Sequence, residues 1–127
     1  MNMTSNRPYV LRALHEWIID NGMTPYVLVN AGVPGVAVPG EYVHEGRVVL
    51  NISPSAVADL EMSNDFVCFT ARFAGNATQV TLPLSAILAI YAKENGKGLI
   101  FPEEDGTISE ADANQEQEKK PFLKVVK

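Results

Sequence analysis

Apolar residues recur along this chain with two periods, helical before about residue 22 and strand-like after it. Tyr9, Val10, Ala13, Leu14, Trp17 and Ile18 fall at helical spacing and form one stripe, widened by Leu11 and Ile19. Arg12, Glu16 and Asp20 take the other side. Pro8 suits a first helical turn, where its missing N–H costs nothing. Asn21-Gly22 ends the helix, with glycine at the left-handed position past the cap. The stripe is wider than one sheet face needs, and the surplus predicts a contact with a second copy.

From residue 25 the period shortens. Tyr26 to Asn30 is a β-branched and aromatic run, followed by a turn-rich loop at 31–35 and a short extended piece at Val36 to Val38. Tyr42-Val43 leads into a tight connection, His44-Glu45-Gly46, and Arg47 to Ile52 is expected to pair back as a hairpin. Pro54 to Asp59 reads as a single helical turn, and Ser63-Asn64-Asp65 as another turn. Phe66 to Phe73 is the longest strand, with Val67, Phe69, Ala71 and Phe73 on one face. Gly75-Asn76 turns the chain into a strand from Thr78 to Leu82. Pro83 then opens a helix expected over Leu84 to Glu94, closed by Gly96. Leu99 to Phe101 is a last short strand. The sum is an α+β fold, mainly β: an N-terminal helix with a strongly bent antiparallel sheet or small barrel.

After Pro102 the pattern stops. Residues 103–120 are rich in Glu, Asp, Asn, Gln, Ser and Ala, lack aromatics and hold one Ile. Such a stretch buries too little surface to offset its ordering entropy, so a flexible, disordered acidic linker is expected. The last seven residues, Pro121 to Lys127, are apolar and basic again. That layout predicts a tethered docking peptide and three segments: a domain at 1–102, a linker at 103–120 and a peptide at 121–127.

Charge follows the same division. The net charge of −5 divides as −2 over residues 1–102, −5 over 103–120 and +2 over 121–127. A general nucleic-acid surface needs clustered positive charge, and none is visible in the domain. No apolar run approaches the roughly 20 residues that span a bilayer. Met1 to Arg7 has no apolar signal region, so a cytoplasmic protein is expected.

Candidate chemistry is sparse. The single cysteine, Cys68, excludes an intrachain disulfide and reads as a small strand residue. His15 and His44 are far apart and have no companions at metal-ligand spacing. Gly32, Gly35 and Gly40 are interrupted by Pro34 and Pro39, which suits turns and not a phosphate cradle. No nucleophile, base and acid assemble from local spacing, which argues against an enzyme.

Several segments taken in order resemble the stringent starvation protein B family, the SspB adaptors of the ClpXP protease. They are RPYVLRALHEWIIDN at 7–21, TPYVLVN at 24–30, PGVAVPGEYVHEGRVVLNISPSAV at 34–57, NDFVCFTARFAG at 64–75 and LPLSAILAIYAKENGKGLIFPEE at 82–104. PFLKVVK at 121–127 is similar to the family's ClpX-docking motif. The resemblance implies an Sm-like fold and a homodimer joined through helices, with Tyr9, Ala13, Leu14 and Trp17 in the contact. It implies a groove for the ssrA degradation tag, aligned with Val38, Tyr42 and the strand residues Phe69, Thr70, Ala71, Arg72 and Phe73. Leu123, Lys124, Val125, Val126 and Lys127 would dock on the N-terminal zinc domain of ClpX. No cofactor and no chemistry are implied.

The physics of a tether makes such an architecture intelligible. A flexible linker of about 18 residues reaches roughly 20–25 Å. It would raise the local substrate concentration toward the millimolar range, so that two weak contacts act as one. The linker is shorter than in family members that carry a long acidic tail. Gly40 stands where a bulkier apolar residue is common. The competing expectation is an RNA-binding module, since Sm-like folds often bind RNA, but the acidic balance argues against it.

Overall fold

The computed structural model describes residues 3–101; the segments assigned to linker and docking peptide lie outside them. Helix α1 (Arg7–Asp20) forms where the spacing predicts it. Ser5 Oγ accepts the Arg7 N–H at 3.1 Å and so occupies one of the first turn's free amides. The other end closes as a Schellman motif. Met23 N–H donates to the Ile18 carbonyl at 3.0 Å and Gly22 N–H to that of Ile19 at 2.9 Å, with Gly22 at φ 74°.

The face that α1 turns to the core is not the expected stripe. Arg7, Leu11, His15 and Ile18 are buried, whereas Tyr9 is 51% and Trp17 48% exposed. Ala13 is also exposed and Leu14 half-buried. Backbone carbonyls explain the reversal, because a buried polar group is tolerated when it is hydrogen-bonded. The Arg7 guanidinium donates to the carbonyls of Leu84, Ser85 and Ile87 at 3.3, 3.4 and 3.1 Å. It also lies 5.2 Å from the centre of the Phe101 ring. His15 Nε2–H donates to the Ile52 carbonyl at 2.9 Å.

Among the described residues seven strands follow: β1 (Pro25–Asn30), β2 (Arg47–Asn51), β3 (Val57–Met62), β4 (Phe66–Phe73), β5 (Asn76–Pro83), β6 (Ile87–Ala92) and β7 (Gly98–Ile100). They pair antiparallel into a four-stranded sheet, β2-β1-β6-β7, and a three-stranded sheet, β3-β4-β5. The α+β, mainly β class is therefore the one found, with the strands in two sheets. Val27, Val29, Val48 and Leu50 of the first sheet share one core with Val67, Phe69, Val80 and Leu82 of the second. Helix α1 packs against β6 and β1 and adds Leu11 and Ile18 to that core.

Three expected elements differ. Leu84 to Glu94 is no helix: one 3₁₀ turn (Leu84–Ala86) follows Pro83, and Ile87–Ala92 is β6. This strand lies between β1 and β7 with Ile87, Ala89, Ile90 and Ala92 buried. A strand buried on both faces reads as a continuous apolar run, which periodicity alone does not separate from a helix. Pro54–Asp59 is only partly a turn. Ala56 and Val57 both donate to the Ser53 carbonyl, at 2.9 and 3.2 Å, and the chain is already β3 from Val57. Finally, β2 does not pair back on Tyr42-Val43. The Glu45-Gly46 turn, with positive φ at both residues, closes a single bridge from His44 to Arg47. The long partner of β2 is β1, from Tyr26 opposite Asn51 to Asn30 opposite Arg47.

Between β1 and β2 runs a 16-residue connection, residues 31–46. It crosses to the second sheet, where Ala37 bridges Thr81 of β5, makes one 3₁₀ turn at Gly40–Tyr42, and returns to the first. A connection this long in a compact domain is most often functional.

Candidate peptide-binding groove

Alternation along β4 sets the floor of the site. Val67, Phe69, Ala71 and Phe73 point the same way, and a small residue between two phenylalanines leaves a gap. A cleft of about 140 Å³ opens there, between the core-facing side of β4 and the edge strand β2. Val49, Leu50 and Asn51 form its β2 wall, and Ala56, Phe69, Ala71, Arg72 and Phe73 complete it. A wider depression of about 350 Å³ on the β3-β4-β5 surface shares Ala56, Ala71 and Arg72 with the cleft, so the two are continuous.

The expected groove residues divide between these surfaces. Ala71 and Phe73 line the cleft, with Phe69 beneath them at 2% exposure. Tyr42 lies against Phe73, ring centroids 5.0 Å apart and tilted by 46°. Thr70 and Arg72 sit on the wider depression, and Arg72 also borders the cleft. Val38 lies beside β5, next to the Ala37–Thr81 bridge, half-buried against the core and away from the cleft lining. At Gly40 a Cβ would meet nothing within 4 Å, so this glycine leaves open space beside Tyr42.

Val49, Leu50 and Asn51 were not among the residues expected at the site. Their signal is the strand order, which makes β2 an edge, and that order is not written in local sequence. The Arg72 guanidinium donates only to the Gly75 carbonyl, at 3.4 Å, and pairs with no carboxylate among the described residues. A cation so placed favours an acidic group in the groove. No cluster of three or more His, Cys, Asp or Glu side chains among the described residues is placed to hold a metal ion. No helix among them is long and apolar enough to cross a membrane.

In general, a strand edge beside small and aromatic side chains is a surface on which an extended chain can pair. The sequence matches the family described as Stringent starvation protein B over residues 5–125, and the chain belongs to that family. It is 50% identical over 99 residues to the Stringent starvation protein B homolog of Haemophilus influenzae. That alignment covers 78% of this chain and 66% of the relative, just under two thirds of the relative's length.

Proposed function

We propose that this chain is a proteolytic adaptor, which binds ssrA-tagged proteins in the β2–β4 cleft and tethers them to ClpX for degradation by ClpXP. The observation that carries the reading is the gap at Ala71, between Phe69 and Phe73, beside the open edge of β2. It suits an extended chain with small side chains, and membership of the Stringent starvation protein B family supports the reading. The adaptor holds its substrate without transforming it.

Two further parts complete the proposal. Tyr9, Ala13 and Trp17 lie one turn apart on the exposed side of α1, and with half-buried Leu14 they are proposed to meet the same face of a second copy. Leu123, Lys124, Val125, Val126 and Lys127 are proposed to dock on the N-terminal zinc domain of ClpX. The acidic segment 103–120 would then carry the substrate-loaded domain on a short leash.

Fluorescence anisotropy of a labelled ssrA peptide tests the groove, with the full chain and with a chain ending at Lys120. Both are expected to bind alike. A scrambled peptide that binds as well as the tag would remove the assignment.

A further inference from the structure

A second cavity shares no lining residue with the tag cleft. It opens to about 210 Å³ between the end of α1 and the connection from β6 to β7. Trp17, Ile18, Met23 and Ala92 give it apolar walls, with Asn21 and Asn95 among them and Lys97 as the one charged residue. Both amides are turned to groups of the wall itself. Asn21 Nδ2–H donates to the Trp17 carbonyl at 2.8 Å, and Asn95 Nδ2–H to the Met23 sulfur at 3.3 Å. Walls of this kind suit an uncharged, apolar side chain.

The exposed face of α1 has a centre. Ala13 lies at its middle, with Tyr9 one turn before it and Trp17 one turn after. In a two-fold contact, residue i meets j and j meets i. Parallel helices would set Glu16 beside Glu16 and Asp20 beside Asp20, like charges together. Antiparallel helices centred on Ala13 avoid this, and the small side chain lets the two axes approach. Positions equally far from Ala13 on either side then face each other. Tyr9 meets the partner's Trp17, and Asp20 the partner's Asn6. Continued outward, the same symmetry sets Ser5 opposite the partner's Asn21 and Met3 opposite the partner's Met23. Asn21 and Met23 both line the cavity. Met3 precedes the helix by four residues and is 91% exposed within its own chain. Four extended residues span up to about 13 Å, enough to pass the end of the facing helix.

We infer that the cavity at the end of α1 is filled by Met3 of a second copy, so that each subunit's N-terminal segment closes over the other's helix. The inference rests on the α1 dimer reading and names what completes it. Methionine suits the place, being unbranched and flexible, with a sulfur that makes favourable contacts with an aromatic ring. That ring is Trp17, 48% exposed in the single chain. The chain's own terminal peptide suits it less, because Lys124 and Lys127 would approach Lys97.

Mixed dimers of the full chain read this directly, with methyl-labelled methionine in one subunit and an unlabelled partner. A filtered NOE is expected from the Met3 methyl of one subunit to the indole of the other, and Trp17 is the only tryptophan in the chain. Met3→Ser is expected to weaken the dimer about fivefold to tenfold in sedimentation and to shift Trp17 emission to the red. Met3→Leu should stay near the parent in both. Because Met3 is exposed in its own chain, neither substitution disturbs the domain's core. A dimer without the intersubunit NOE, or one that Met3→Ser leaves as tight as the parent, would overturn the inference and leave the dimer standing. Contacts of the indole with Phe122 or Leu123 instead would give the cavity to the terminal peptide and overturn it too. A chain that sediments as a monomer sinks the α1 dimer reading, and this inference with it.

Discussion

Tyr42 and Phe73 join two parts of the chain that share no strand pairing. Their rings meet at 5.0 Å, which fastens the long connection of residues 31–46 to the end of β4 beside the cleft. Such a pair contributes about 0.5–1.5 kcal/mol beyond its buried area. Tyr42→Ala is expected to lower stability by about 1–2 kcal/mol in urea unfolding and to weaken tag binding several-fold. Tyr42→Phe is expected to leave both near the parent values, since the contact is between rings.

Ala71 tests the cleft by filling it. A longer side chain there is half-exposed, so Ala71→Gln is expected to fold normally while occupying the gap between Phe69 and Phe73. Tag affinity should fall about tenfold or more, the scale of an overpacked contact. Anisotropy with a labelled tag and a thermal melt together decide the case. Unchanged affinity would remove Ala71 from the groove.

Arg7 is a stability position. Its guanidinium holds three carbonyls around the Leu84–Ala86 turn, where the chain passes from the second sheet to the first. Replacing it with methionine keeps much of the volume and removes the donors. Hydrogen bonds to a charged donor contribute about 1.5–3 kcal/mol each and do not add fully, so Arg7→Met is expected to cost about 2–4 kcal/mol. The urea midpoint reports it. A loss below about 1 kcal/mol would contradict the role given to these bonds.

Glu94 supplies a pH dependence. Its carboxylate accepts the Thr24 N–H at 2.9 Å and the Thr24 hydroxyl at 2.7 Å. The backbone bond first, then the hydroxyl, holds its pKa below the ordinary 4.5. A depressed carboxyl pKa stabilises the fold above the unfolded value and loses that contribution as pH falls through the folded one. Glu94→Gln is expected to flatten the acid limb of the stability curve below about pH 5 and to change little at pH 7. An acid limb identical to the parent's would contradict it.

Local signals in the sequence carry much of this fold. The proline and glycine at its two ends place α1, and alternation places β4 with its inner face in the right phase. Positive φ at Glu45-Gly46 matches the turn read there, whereas the turn expected at Gly75-Asn76 falls one residue earlier, at Ala74-Gly75, because Asn76 already pairs with Phe73. What local sequence does not carry is who pairs with whom. Ile87–Ala92 became a strand because β1 and β7 flank it, although its leucine and alanines are good helix formers. Arg7 and His15 displaced Tyr9 and Trp17 from the core because carbonyls distant in sequence, those of Leu84, Ser85 and Ile87 for Arg7 and of Ile52 for His15, accept their protons. The cleft lining divides in the same way: alternation puts Ala71 and Phe73 on the inner face of β4, whereas the β2 wall depends on strand order.

Delivery through a tether is the central proposed activity. The most direct measurement is ClpXP degradation of an ssrA-tagged substrate, at limiting concentration, with the full chain or with one lacking residues 121–127. Tag binding should be equal for the two, while stimulation of degradation appears with the full chain and disappears with the truncated one. Equal stimulation by both, or loss of tag binding together with stimulation, would contradict an adaptor built from a separate groove and docking peptide.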